Sequence, residues 1–279
     1  MSQTAPPSDI ANPSGEQLTL PQAIINLQGA DLGLRVYAAW WLGRFRVQST
    51  EACDLLIAAL QDQADRTPAG GYPLRRNAAR ALGKLAYQKA VAPLVEALSC
   101  TDFYVREAAA QALEKLGNIT AVSALLALLK NELPGTLPAP EPPQLVQPFD
   151  AIIEALGTLG ATEAKAEIIP FLDHDIPRIQ YAAARALYQL TDPSEAGQYG
   201  DRLIAALEGD DLQLRRAALS DIGAIGYFAA AKPIAETLAE NSLKIIALKG
   251  LLEVQLNQSP LPQLSPEVNQ IMTLIDGLL

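Results

Sequence analysis

The chain has 279 residues, 49% of them hydrophobic and only 5% aromatic, with a formal net charge of −10 from 21 basic and 31 acidic side chains. A field of that sign opposes nucleic acid, which needs clustered Lys and Arg to displace counterions, so nucleic acid is excluded as an expected partner. No run of 18 uninterrupted apolar residues occurs, which argues against membrane insertion.

In chain order, the first segment, MSQTAPPSDIANPSG, is polar and proline-containing; residues 1–17 are expected to be a disordered N terminus without a signal peptide. Thr19 or Leu20 followed by Pro21 opens a first helix. Then comes Asp31-Leu-Gly-Leu-Arg-Val-Tyr-Ala-Ala-Trp-Trp-Leu-Gly43, whose Ala-Ala-x-x-Leu core recurs in degraded form. Its leucine position is occupied by Leu42, Leu82, Leu113, Leu156, Leu187 and Ile222, at steps of 40, 31, 43, 31 and 35 residues. A second apolar helical run follows the copies, as in CDLLIAAL, AVAPLVEAL and AVSALLALL. Periods of this size with two helices per unit predict an all-α fold, an α-solenoid of about six HEAT-like repeats. Asp31, Asp102, Asp175 and Asp211 are expected helix caps. Gly43, Gly83, Gly117, Gly157 and Gly223 are expected at helix ends, where a left-handed residue is tolerated.

Two stretches interrupt the march. Residues 61–73, QDQADRTPAGGYP, are a varied polar connection suited to binding. Residues 133–148 carry six prolines and read as a semi-rigid linker. Residues 18–132 and 149–279 are thus expected as N-terminal and C-terminal repeat blocks.

Conventional catalytic chemistry finds no support. The one histidine, His174, sits in Asp-His-Asp, where three adjacent side chains cannot converge on one metal; the expectation is a solvated turn histidine and no metal site. Cys53 and Cys100 are 47 positions apart, fitting reduced thiols in a cytoplasmic protein. Repeat alignment is more informative. Opposite Trp40 stand Arg80, Gln111, Glu154, Arg185 and Ser220, so Trp40 is expected to face solvent; Tyr37 and Trp41 replace mostly small residues and are expected on one helical face. These aromatics either close the open end of the stack or form a platform for a flat ligand or a partner. Arg35, Arg75, Arg106 and Arg215 share one repeat position, expected to form an Asp–Arg ladder. Asp65, Arg66, Tyr72, Arg75 and Arg76 crowd together beyond what such a ladder requires, combining carboxylate-binding guanidiniums with an acid.

VYAAWWLG (36–43), QADRTPAGGYPLRRNAARALGKL (63–85) and TDFYVREAAAQALEKLG (101–117) together resemble the E-type subunits of the heterodimeric E/F phycobilin lyases, densely over residues 18–130 and only as HEAT repeats afterwards. The family's YYAAWWL-type motif falls on Val36, Tyr37, Ala38, Ala39, Trp40, Trp41 and Leu42, with valine in place of the first tyrosine. The resemblance implies pairing with an F-type subunit and attachment of phycocyanobilin, through a thioether, to a cysteine of the phycocyanin alpha subunit in cyanobacterial or red-algal light harvesting. Phycocyanobilin is then a substrate, and no cofactor is expected. On that implication Arg66, Arg75 or Arg76 would hold the bilin propionates and Asp65 its pyrrole nitrogens. Tyr72 is a second candidate proton donor, and Trp40 with Tyr37 and Trp41 would face bilin or partner. Alternatives are a non-catalytic scaffold or phycobilisome-binding protein, and a lyase-isomerase serving another phycobiliprotein.

Overall fold

The computed structural model describes residues 18–68, 70–130, 147–258 and 265–279. The expected disordered terminus, 1–17, and residues 133–146 of the expected linker lie outside the described residues. Within them the chain is helical without strands, and it divides into two compact units, residues 18–128 with 147–148 and residues 129–130 with 149–279.

The first unit begins with α1 (Leu20–Gln28), α2 (Leu32–Phe45) and α3 (Thr50–Ala59). It continues through α4 (Pro73–Lys84), α5 (Val91–Ala97), α6 (Phe103–Leu116) and the start of α7 (Val122–Lys130). In the second unit come α8 (Phe149–Thr158), α9 (Lys165–Ile168), α10 (Pro177–Leu190) and α11 (Pro193–Ala206). There follow α12 (Leu212–Ile225), α13 (Ala231–Glu236), α14 (Asn241–Gln258) and α15 (Pro266–Asp276). Within each unit the helices carrying the Ala-Ala-x-x-Leu motif pack side by side: α2 on α4 on α6, and α8 on α10 on α12 on α14. The HEAT-like stack read from the sequence is therefore present in both units. Helix pairs number seven among the described residues, because α14 and α15 form one more than the six motif copies. The extra copy hides because Lys244-Ile245 stands before Ala247-Leu248 where four of the six other copies carry Ala-Ala.

The motif works through close approach. Its leucines, Leu42, Leu82, Leu113, Leu156 and Leu187, are fully buried, each contributing about 1.5–3 kcal/mol of apolar burial. The glycines act differently from the expectation. Gly43, Gly83, Gly157 and Gly223 lie inside helices rather than at left-handed caps; of the five, only Gly117 has positive φ, 64°. A Cβ on Gly43 would stand 2.7 Å from the Cα of Ala81, and one on Gly83 2.7 Å from that of Ala112. These positions are bare so that neighbouring helices can touch backbone to backbone. The left-handed cap falls three residues later, at Arg46, Ala86, Gly160 and Gly226.

Capping follows the sequence at most helices. Thr19 Oγ1 accepts from Gln22 N, Asp31 from Leu34 N at 2.9 Å, Asp102 from Tyr104 N at 2.8 Å and Asp211 from Gln213 N at 2.7 Å. Asp175 caps nothing; instead His174 Nδ1 accepts from Ile176 N at 3.0 Å at the start of α10. His174 is half-buried and stacks on Phe171, ring centroids 6.0 Å apart, so it is not the solvated turn residue expected.

The arginine ladder is also of a different kind. Arg35 pairs with Asp62 at 2.6 Å, but the repeated function is donation to carbonyls at the end of the preceding helix. Arg35 Nε donates to Leu27 O at 3.1 Å, Arg75 Nε to Asp62 O at 2.7 Å and Arg106 Nη1 to Cys100 O at 2.6 Å, while Arg215 reaches Gly209 O. Gln180 does the same to His174 O at 2.6 Å. Helix C-termini leave carbonyls unsatisfied and carry partial negative charge, which a guanidinium relieves.

Candidate functional site

The structure sorts the expected site residues into two groups in the first unit. One surrounds the segment before α4. Thr67 N donates to Gly71 O at 2.8 Å, Gly71 N to Thr67 Oγ1 at 3.0 Å and Tyr72 N to Asp102 Oδ2 at 2.7 Å, which ties the polar loop to α6. Asp65 is 4% exposed, and its carboxylate accepts from the backbone N–H of Leu74, capping α4 from seven residues before Tyr72. Burial raises its pKa, the amides of Leu74 and Arg75 pull it back, and Asp62 raises it further. Arg75 is 9% exposed, with Cζ 4.0 Å from the Tyr72 ring centre. Its nitrogens are directed at Asp62 O, Gln61 O and, at 3.8 Å, Cys100 Sγ.

Asp65 and Arg75 are thus both engaged with the protein's own backbone. A carboxylate in an α4 cap and a guanidinium in a C-terminal clamp are fold-holding groups. What does open to solvent here is a polar cleft of about 440 Å³, lined by Gln61, Gln63, Tyr72, the Arg75 edge, Glu96 and Cys100. Arg66 is exposed on the loop rim, away from a carboxylate partner among the described residues.

The second group lies on α2. Trp40 is 43% exposed, as the repeat alignment anticipates, and its ring stacks on Tyr37 with centroids 5.5 Å apart at 27°. Trp41 does not stack with Tyr37; it packs against Phe45, centroids 5.6 Å apart. Phe45 also meets Trp40 edge-on at 6.4 Å and lies under Arg44 at 5.9 Å. Sequence reading missed Phe45, which is 59% exposed. The signal was available: its counterparts Leu85, Leu116, Leu159, Leu190, Ile225 and Leu251 are all buried.

Around these aromatics the face of α2, α4 and α6 is a grid three positions deep. Equivalent residues form rows: Val36–Arg76–Glu107, Trp40–Arg80–Gln111 and Arg44–Lys84–Lys115. Within each helix the members are i, i+4 and i+8 and share a face. Arg44, Arg46, Arg80, Lys84 and Lys115 are all exposed. Desolvation lowers the Lys84 pKa, and Lys115, Arg44, Arg80 and Arg46 lower it further, in that order. Arg80 is likewise lowered by burial and then by Arg76, with Glu107 opposing. Arg80 has one ion pair, to Glu107 at 3.6 Å. Arg76 lies 5.6 Å over the Tyr104 ring, and its Nε is buried without a hydrogen-bond partner. On a chain of net charge −10 this is a local excess of positive charge beside exposed rings.

The two thiols differ in access: Cys100 is half-buried at the cleft. Cys53 is buried, and that burial raises its thiol pKa, against thiolate formation. Among the described residues no group of three or more His, Cys, Asp or Glu could hold a metal ion, and no helix is long and apolar enough to cross a membrane. The arrangement suits holding a flat anionic molecule rather than cleaving one.

The chain is similar to known proteins along most of its length. The model of HEAT repeats matches residues 71–136, and that of the PBS lyase HEAT-like repeat matches 34–62 and 179–209. The phycocyanobilin lyase subunit alpha of Microchaete diplosiphon is 67% identical, the match covering 94% of this chain and 90% of that protein. The bilin biosynthesis protein PecE of Mastigocladus laminosus is 44% identical over 84% of this chain and 81% of its own length. A solved complex of CpcE and CpcF of phycocyanin lyase from Nostoc sp. PCC7120 contains a chain 54% identical to this one, with TM-score 0.86 and full coverage of both.

Proposed function

Since the chain belongs to the family of phycocyanobilin lyase alpha subunits, we propose that it is one half of a heterodimeric bilin lyase. With an F-type partner subunit it attaches phycocyanobilin, its substrate, to a cysteine of the phycocyanin alpha subunit. The observation that carries the reading is the Tyr37–Trp40–Phe45 cluster, with Trp40 and Phe45 exposed and Tyr37 half-buried, at and just beyond the family's motif and beside the exposed Arg44 and Arg46. The reaction runs in the cytoplasm, on this reading, because its acceptor needs a reduced thiol.

The chemistry asks little of a catalytic nucleophile. The acceptor's sulfur forms a bond to the ethylidene carbon, the exocyclic double bond opens, and the chromophore takes up the proton lost by the thiol. Atoms and electrons balance without an oxidant. The lyase must therefore orient two reactants, an effective-molarity contribution, and offer a proton. Trp40 with Tyr37 supplies the aromatic face, half-buried Arg76 is the guanidinium on the next helix, and Tyr72 at the cleft is the proposed proton source. Trp41, half-buried against Phe45, supports that face from below.

Co-expression with an F-type subunit, the acceptor alpha subunit and phycocyanobilin tests this directly. A zinc-fluorescent acceptor band on a denaturing gel, present only with both subunits, is the expected result; an acceptor equally fluorescent without this chain overturns it. Tyr72→Phe is expected to slow transfer without loosening the heterodimer, and unchanged transfer removes Tyr72 from proton delivery.

A further inference from the structure

The sequence assigns propionate binding to arginines around the loop before α4, yet Arg75 is bound to the backbone there and Arg66 stands alone on the rim. The third row of the grid offers what that loop does not. Gly43 against Ala81 and Gly83 against Ala112 bring α2, α4 and α6 to backbone contact. Arg44 and Lys84 each follow a seam glycine by one position and Lys115 is their equivalent on α6, so three exposed cations are pressed to the spacing of touching helices, about 8–10 Å. Arg46 adds a fourth from the end of α2. It holds φ 51°, a left-handed geometry that Ala86, Gly117, Gly160 and Gly226 occupy in other repeats. An L-residue is costly there, and of the two non-glycines at these caps only Arg46 brings a charge. One helical turn from Arg44, on the same face, stands Trp40, and Arg44 covers Phe45.

We propose that Arg44, Arg46, Lys84 and Lys115 hold the two propionate carboxylates of the bilin while its conjugated plane lies on Trp40 and Phe45. Exposed like charges at this spacing repel one another, and two carboxylates placed between them relieve that repulsion as they form charge-assisted hydrogen bonds. The inference rests on the bilin-lyase reading and specifies where the ligand's charge is held.

The test is a titration of the full-length chain with its F-type partner, using phycocyanobilin and, separately, its dimethyl ester, followed by bilin absorbance. Free-acid binding is expected to weaken as salt rises. Arg44→Gln with Lys84→Gln should weaken it about tenfold per lost cation, with ester binding unchanged. Arg46→Gly should raise Tm while weakening free-acid binding. Equal wild-type affinity for acid and ester overturns the proposal and leaves the lyase reading standing. So does loss of heterodimer in the double variant with pigment affinity intact, which assigns the cations to a protein interface. If the wild-type heterodimer binds neither form, both readings fall.

Discussion

The same helical face is built twice, with opposite electrostatics. In the second unit, Asp150, Glu154 and Arg185 stand where the first has Arg76, Arg80 and their row neighbours, and the charges close on each other. Arg178 bridges Glu154 and, at 2.5 Å, Asp221; Arg185 reaches Glu154 at 3.0 Å and Asp221 at 3.5 Å. Asp221, 1% exposed, occupies the position filled by Ala81 in the first unit. In the first unit the rows and their rim carry six cations, Arg44, Arg46, Arg76, Arg80, Lys84 and Lys115, against Glu107. A face whose charges neutralise internally holds the fold; one whose cations outnumber its carboxylates is poised for an external anion. The lesson is that equivalent repeat positions can carry different charge, closed into a network in one unit and left with an excess of cations in the other.

Breaking the closed network is the strongest way to test that division. Arg178→Ala leaves Asp221 and Glu154 with one guanidinium, and chemical denaturation should show a loss of about 3 kcal/mol, as for removal of one partner of a buried charged network. Matching stability to wild type would place the second unit's face in the same open class as the first. Next in size, Gly83→Ala forces a methyl to within 2.7 Å of Ala112 Cα and should cost about 2 kcal/mol through displacement of α6. Asp65→Ala should cost about 1 kcal/mol from the lost α4 cap, whereas Asp65→Asn, still an acceptor, should melt close to wild type and keep transferring bilin. Abolished transfer in a fully folded Asp65→Asn variant would return Asp65 to the chemistry. On the open face, Trp40→Ala should change stability by less than about 0.5 kcal/mol while weakening bilin binding; a large fall in Tm would make the aromatics an end cap instead.

The smallest expected effect is one of pH. Burial lowers the His174 pKa, with Asp175 opposing. Its folded value thus lies below the ordinary unfolded value of about 6.5, and the unfolded chain binds more protons between the two. Stability from this site is complete above the unfolded value and falls as pH drops through the folded one. Thermal melts at pH 8 and pH 5 should show a slightly larger acid loss for wild type than for His174→Asn, which keeps an acceptor for Ile176 N.

Much of this protein is legible along the chain because its signals are local. Asp31, Asp102 and Asp211 cap helices within three residues of themselves, and the recurring Ala-Ala-x-x-Leu core reports a buried helical face wherever it occurs. The exposure of Trp40 was readable because five counterparts are polar. Arg75 and Asp65 were not readable in the same way. Guanidinium and carboxylate beside a glycine pair look alike whether they await a ligand or clamp a backbone, and the deciding partners, Gln61, Asp62 and Leu74, are chosen by how the loop folds back.

What the sequence alone determined is the period, the helix pairs, most caps and the family. These depend on interactions spanning a few residues or on the regular recurrence of apolar ones. Tertiary structure alone decided that the motif glycines serve helix contact, that Phe45 is open and that the second unit's face closes Arg178 and Arg185 on Glu154 and Asp221. Each of those outcomes depends on which side chain a neighbouring repeat, some 30 to 40 positions away, places opposite.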